Sequence, residues 1–319
     1  MILSSLIVFL VLLLIGLIYH RLAMKFGIVD KPNHRSSHTF STVRGGGILF
    51  PLAVIFWWLI FDFQHTWMVL GLIWVSAISM LDDMYTLSRK LRFGVQFLAL
   101  SMAFYDLGVF EQINIFALPV LYFISLGIIN AINFMDGING ISGLYFLVFF
   151  GTMLAIQVYL PVFEDSLIRY IILSILAFLF FNLRKKALMF AGDIGSISLA
   201  YLTIYFLLNW YLIEQNWTII LILGVYGVEV SVTMVERLLR KENLLQPHRT
   251  HLYQLIVNEL KVNHVTLAII YAIAQAAINL FLFIIPQKAP GALTASLVLV
   301  SLLLIYLAIK IPLRKKIRI

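Results

Sequence analysis

The chain of 319 residues has no cysteine, so disulfide scaffolds, thiolate catalysis and cysteine-based zinc sites are excluded. Charge is almost as scarce. Asp, Glu, Lys and Arg make up 12% of the residues, against roughly a quarter in an average soluble domain, while 62% are hydrophobic. The mean hydropathy is +1.00. No internal repeat and no low-complexity segment is visible. The first apolar stretch, 1–19, lacks the basic start and small-residue cleavage site of a signal peptide, so it reads as a retained span. What remains is a polytopic membrane protein.

A spanning helix takes about 20 apolar residues. On that scale the chain reads as an all-α integral membrane protein of about eleven transmembrane helices. They lie near 2–19, 46–61, 67–81, 93–108, 115–131, 141–160, 167–182, 196–211, 217–235, 265–285 and 292–311, in a single polytopic domain over 1–319. Short connections favour antiparallel neighbours. Orientation follows the basic residues. With the N-terminus outside and the C-terminus cytoplasmic, all but Arg169 and Lys288 of the 23 Lys and Arg residues fall on the inner side. Asp62, Asp106, Glu111, Glu164, Asp165 and Glu214 fall outside. The net charge of +8 is therefore the positive-inside bias of a membrane protein and not a nucleic-acid surface.

The same orientation collects every polar cluster on the cytoplasmic side, at the ends of apolar runs. Lipid does not tolerate idle carboxylates, so their convergence points to an active site there. Asp82-Asp83 pairs two acids next to Arg89, Lys90 and Arg92. Adjacent carboxylates repel, which raises one pKa or invites a cation, and nearby basic groups suit phosphate. A helix cap is the structural alternative. Asn130, Asn133 and Asp136 recur at i, i+3, i+6 on one helix stripe, followed by Gly137, Asn139 and Gly140. Plain helix termination by Asn, Asp and Gly is the competing reading.

Gly192-Asp193-Ile194-Gly195-Ser196 opens the next span. Ser196 is a candidate cap, and free N–H groups at a helix start accept an anion. His248-Arg249-Thr250-His251 places two imidazoles around a guanidinium, which suits a diphosphate. The loop around Lys31 is polar and basic and runs to Arg44-Gly45-Gly46-Gly47, which lacks the Lys-Ser/Thr ending of a Walker loop. Glu229 lies inside a span, with a structural pairing and a functional role equally open.

Taken together and in order, Asp30-Lys31-Pro32 with 45–47, Asp82-Asp83, 130–140, 192–196 and 248–251 resemble the polyprenyl-phosphate N-acetylhexosamine-1-phosphate transferase family over almost the whole chain. That family is of the glycosyltransferase family 4 type. It includes undecaprenyl-phosphate N-acetylglucosamine-1-phosphate transferases and, more distantly, phospho-N-acetylmuramoyl-pentapeptide-transferase. The resemblance implies transfer of an N-acetylamino-sugar-1-phosphate from a UDP-sugar to undecaprenyl phosphate, with release of UMP. The setting it implies is the first membrane step of O-antigen, capsule or other cell-envelope polysaccharide synthesis in a bacterial inner membrane. It also implies Mg²⁺, with Mn²⁺ as an alternative, and admits a homodimer.

By the same resemblance Asp82, Asp83, Asp136, His248 and His251 are expected to be catalytic. Asp193, Asp82 and Asp136 are expected to hold the metal. Lys31, Arg44, Arg89, Arg92, Asn133, Asn139 and Arg249 are expected to bind substrate. Asn139 stands where many members carry an Asp, and His-Arg-Thr-His replaces a run of adjacent histidines. The second departure favours the O-antigen or capsule-initiating branch. N-acetylglucosamine, N-acetylfucosamine and N-acetylquinovosamine all remain open as the sugar. The alternative of another class is a transporter of an anionic or lipid-linked metabolite. That reading expects ionisable groups near mid-membrane and repeated halves.

Overall fold

The computed structural model describes residues 2–30, 40–243, 246 and 248–317. Lys31 and the rest of 31–39 lie outside these residues, as does Pro247. The apolar runs become helices: α1 (Ile2–Phe26), α2 (Leu49–Ile60), α3 (Thr66–Tyr85), α4 (Arg89–Asp106), the short α5 (Val109–Gln112), α6 (Leu118–Met135), α7 (Ile141–Ile156), α8 (Asp165–Asn182), α9 (Gly192–Glu214), α10 (Gly224–Leu239), α11 (Leu252–Glu259), α12 (His264–Asn279) and α13 (Ala292–Ile317). A two-residue antiparallel pair, β1 (Val29–Asp30) with β2 (Thr42–Val43), and a 3₁₀ turn at Gly46–Ile48 lead from α1 into α2.

Among the described residues eight helical stretches are long and apolar enough to cross a membrane, and two more, Gly46–Ile60 and Ile141–Ile156, are apolar but shorter. Each of the eleven expected intervals overlaps a helix, though 93–108, 115–131 and 141–160 run beyond theirs. The eleventh is α4, whose first turn carries Arg89, Lys90 and Arg92 and whose last residue is Asp106. The all-helical membrane class therefore holds, with eight full-length stretches. Helices α1, α10 and α13 run on past the apolar intervals to Phe26, Leu239 and Ile317. Long basic side chains let a helix continue after its apolar run ends, because their stems lie along apolar surface while the charge reaches water.

The bundle is built around α9. In its most apolar stretch 78% of residues are buried, against 11% for α1 and α13 at the periphery. Small residues permit this. Ser198 of α9 hydrogen-bonds Ser76 of α3 at 2.7 Å, and Tyr201 donates to the Met68 carbonyl at 2.9 Å. A Cβ on Gly47 would sit 2.1 Å from the Gly195 Cα, so the turn before α2 and the start of α9 touch backbone to backbone. Trp57, Phe146, Phe149, Phe150, Phe178 and Trp210 fill the apolar interior around these contacts.

The span before α10 begins as a 3₁₀ stretch, Trp217–Leu223. A change of helix type inside a span leaves backbone groups without their usual partners, and lipid offers none. Gln275 of α12 mends the break. Its Oε1 accepts from Val225 N at 2.9 Å, and its Nε2 donates to the Leu221 carbonyl at 3.0 Å.

Candidate active site

One end of the bundle gathers the last turns of α3 and α6, the first turns of α4 and α9, and α11. Contacts between named side chains join them. Thr86 terminates α3 in a left-handed conformation, φ 52°, just after the acidic pair. Ser88 then caps α4 by accepting from Leu91 N at 3.3 Å. This tight turn faces Arg92 back toward Asp82. Asp82 Oδ2 accepts from Arg92 Nη1 at 2.5 Å, and Oδ1 accepts from Leu87 N at 2.6 Å. Asp82 is thus occupied on both oxygens.

Asp83 points the other way, as neighbours on a helix do. Its side chain is buried, with Oδ2 accepting from Ile194 N at 3.3 Å in the first turn of α9. A carboxylate at a helix start meets free N–H groups and the positive end of the dipole. Arg44 Nε lies 3.2 Å from Asp83 Oδ1. Arg44 is itself fixed by the Tyr19 hydroxyl, which donates to the Arg44 carbonyl at 2.7 Å. Gly192, at φ +72°, is required here: a Cβ would meet Asp83 Oδ2 at 2.4 Å.

Asp193 is the open member, with 28% of its side chain exposed against 1% for Asp83. Arg92 Nη1 stands 3.8 Å from its Oδ2, so one guanidinium bridges Asp82 and Asp193. Asn133 joins the cluster by donating to Ser196 Oγ at 3.1 Å. Asp136 follows at the end of α6, where Ser142 Oγ donates to its Oδ1 at 2.6 Å. Burial pushes the Asp136 carboxyl up to about 6, and Asp193 adds to the rise, while Ser142 and Arg44 pull it down.

The histidine segment packs beside the end of α6. His248 and His251 lie 4.8 Å apart by ring centroid, and both rings contact Phe134. Burial pushes His248 down to about 3, helped by His251, Arg237 and Lys310, so the ring is neutral at neutral pH. Tyr253 clamps the segment to α6 by donating to the Phe134 carbonyl at 2.8 Å. Gly137 makes room for it, since a Cβ there would meet the Tyr253 hydroxyl at 2.2 Å.

The structure therefore brings together Arg44, Asp82, Asp83, Arg92, Asn133, Asp136 and Asp193, with His248, Arg249 and His251 alongside. Arg89 is exposed on the first turn of α4. Asn139 is buried, and its Nδ2 donates to the Arg184 carbonyl at 2.8 Å, so its amide anchors the loop before α9. The expectation on Lys31 falls outside the described residues. Sequence reasoning missed Tyr19, Ser142, Asn182 and Tyr253. Only Asn182 carried a signal, a lone amide ending an apolar run. It accepts from Gly140 N at 2.6 Å and donates to the Met189 carbonyl at 2.8 Å.

Among the described residues no three His, Asp or Glu side chains already converge on a metal position. The donor set nevertheless fits Mg²⁺. That ion takes oxygen ligands, keeps several waters, and commonly uses one or two carboxylates with substrate phosphates supplying the rest.

Fold and site thus define an all-helical membrane protein with an acidic, arginine-buttressed site at one end of its bundle. Residues 65–211 match the model of glycosyl transferase family 4, and the family resemblance carried by the motifs holds. The chain is 29% identical over 264 residues to a probable undecaprenyl-phosphate N-acetylglucosaminyl 1-phosphate transferase of Bacillus subtilis, covering 76% of this chain and 74% of that one. It is 28% identical over 272 residues to the undecaprenyl-phosphate alpha-N-acetylglucosaminyl 1-phosphate transferase of Escherichia coli K12, covering 74% and 71%. A shorter match, 29% over 186 residues, is to the phospho-N-acetylmuramoyl-pentapeptide-transferase of Streptococcus sanguinis, covering 52% and 56%.

Proposed function

We propose that the protein transfers an N-acetylamino-sugar-1-phosphate from a UDP-sugar to undecaprenyl phosphate and releases UMP, at the cytoplasmic face of a bacterial inner membrane. The observation that carries this reading is the meeting of Asp83, Asp136 and Asp193 with Arg44 and Arg92 where four helix ends converge. In the reaction an oxygen of the lipid phosphate attacks the sugar-bearing phosphorus of the donor. A new P–O–P link forms, the bond to UMP breaks, and UMP leaves with the electron pair.

Two anionic phosphates must approach each other, so charge has to be offset before an in-line attack. Mg²⁺, when bound, would supply the positive charge that offsets the phosphates. Asp193, as the exposed carboxylate, and Asp136 beside it would hold the ion. Asp82 serves to place Arg92, and Asp83 serves to place Arg44 and the start of α9. Arg92, shared between two carboxylates and 34% exposed, is positioned to pass to an incoming phosphate. His248 and His251 pack against Phe134 in the 133–136 segment and are assigned to the donor diphosphate. The O-antigen or capsule branch is favoured by the spacing of these histidines.

The test is UMP release by purified protein in detergent, with undecaprenyl phosphate and a panel of UDP-amino sugars, with and without Mg²⁺. Release that depends on Mg²⁺ and is lost in Asp193→Asn supports the reading. Absence of release from every donor, with folded protein and intact lipid, overturns it.

A further inference from the structure

Glu229 is a fully buried carboxylate in α10, inside a span, where an ionisable group needs a reason. Its Oε1 accepts the backbone N–H of Leu252 at 2.5 Å, and its Oε2 accepts the Tyr271 hydroxyl at 2.5 Å. Leu252 is the first residue of α11, and the residue in the capping position before it is His251. A capping side chain ordinarily satisfies the free N–H groups of its own helix start. The His251 ring does not cap; Glu229 takes the Leu252 N–H from another helix instead.

The imidazole released from capping is held but chemically idle. His251 is 1% exposed, and among the described residues neither ring nitrogen has a hydrogen-bond partner. A buried polar atom left unpaired is unfavourable, so two on one ring call for a ligand. The ring lies against Phe134 on one side and Tyr253 on another, at centroid distances of 6.1 and 5.9 Å. Its Nδ1 faces Glu229 Oε1 at 3.7 Å. A carboxylate behind one imidazole nitrogen sets the orientation of the ring and which nitrogen carries the proton.

Resting on the transferase reading, we propose that Glu229 is a positioning residue for that site. It acts through His251, holding the Nδ1 edge and so fixing the ring that the transferase reading assigns to the diphosphate of the donor nucleotide. Tyr271 and Tyr306 keep the carboxylate in place, the latter donating to Oε1 at 3.4 Å.

The test is a double-mutant cycle on nucleotide binding, with UDP as the diphosphate probe and uridine as its control, in detergent with Mg²⁺. Glu229→Gln keeps the volume and one acceptor but removes the charge. The expected result is about tenfold weaker UDP binding with uridine unchanged, and no further loss when Glu229→Gln is added to His251→Ala. Unchanged UDP affinity, equal loss in both backgrounds, or parallel loss of uridine would overturn the proposal, because a purely structural Glu229 gives one of those patterns. If Glu229→Gln does not fold, Tyr271→Phe, which removes only the hydroxyl on Oε2, is measured in its place. Its smaller loss must also vanish beside His251→Ala. A wild-type protein that binds no UDP and releases no UMP overturns the transferase reading itself, which separates that failure from failure at Glu229 alone.

Discussion

Asp82 and Asp83 are adjacent in sequence and opposite in role, because a helix turns neighbours about 100° apart. Asp82 reaches across a tight turn to Arg92, while Asp83 reaches into the start of α9. Residue size decides as much as charge. Gly47→Ala would drive a Cβ to 2.1 Å from Gly195 Cα, and no side-chain movement relieves a clash between backbones. A loss of about 1–3 kcal/mol is expected, read as a lower thermal midpoint in detergent. Gly151→Ala, with nothing within 4 Å, should leave the midpoint in place or raise it slightly. His248 gives a pH dependence with a defined sign. Its folded-state pKa is about 3, below its ordinary value of 6.5, so between those values the unfolded chain binds more protons. Stability is full above about 6.5 and declines as pH falls toward 3. His248→Gln should flatten the fall in thermal midpoint between pH 7 and about 5; an unchanged slope would contradict the burial seen here.

At the scale of elements, the long helices were legible because each contains an apolar run. The site was legible because each motif sits where such a run ends. The cross-links between elements were not. Tyr253 looks like any aromatic in a polar loop until α11 places its hydroxyl on the Phe134 carbonyl. Helix α11 itself was lost inside a polar segment, since eight residues carry little periodic signal. Asn139 read as a site residue from its motif, but pairing with the loop at 184–185 depends on tertiary contacts that no local pattern encodes. The 3₁₀ break before α10 was equally hidden, being apolar throughout. Gln275 is what makes it tolerable. Gln275→Leu should orphan Val225 N and the Leu221 carbonyl and cost about 1–3 kcal/mol or more, measurable by thermal unfolding in detergent. An unchanged midpoint would mean the break is satisfied some other way.

Across the whole molecule the two ends of the bundle are built differently. One end carries the carboxylate and arginine cluster and the histidine segment. The other closes with structural pairs, such as Asp106 accepting from Tyr205 and facing His65 at 2.8 Å. The interior between them is mostly apolar, with amide and hydroxyl pairs spent on one another, such as Gln275 with Asn279 and Asn279 with Thr152, and with the buried Glu229 carboxylate held by Leu252 N and Tyr271. A transporter would be expected to place ionisable groups near the middle. Here the cluster of carboxylates and arginines is concentrated at one end of the bundle. The most direct measurement is Mg²⁺-dependent UMP release from UDP-amino sugars and undecaprenyl phosphate, compared between the wild-type protein and Asp193→Asn. The account predicts release by the wild type with at least one donor, and loss of about 100-fold or more in the variant. Equal release by the two proteins would remove Asp193 from the centre of the site, and no release by either would contradict the transferase account and return the transporter reading.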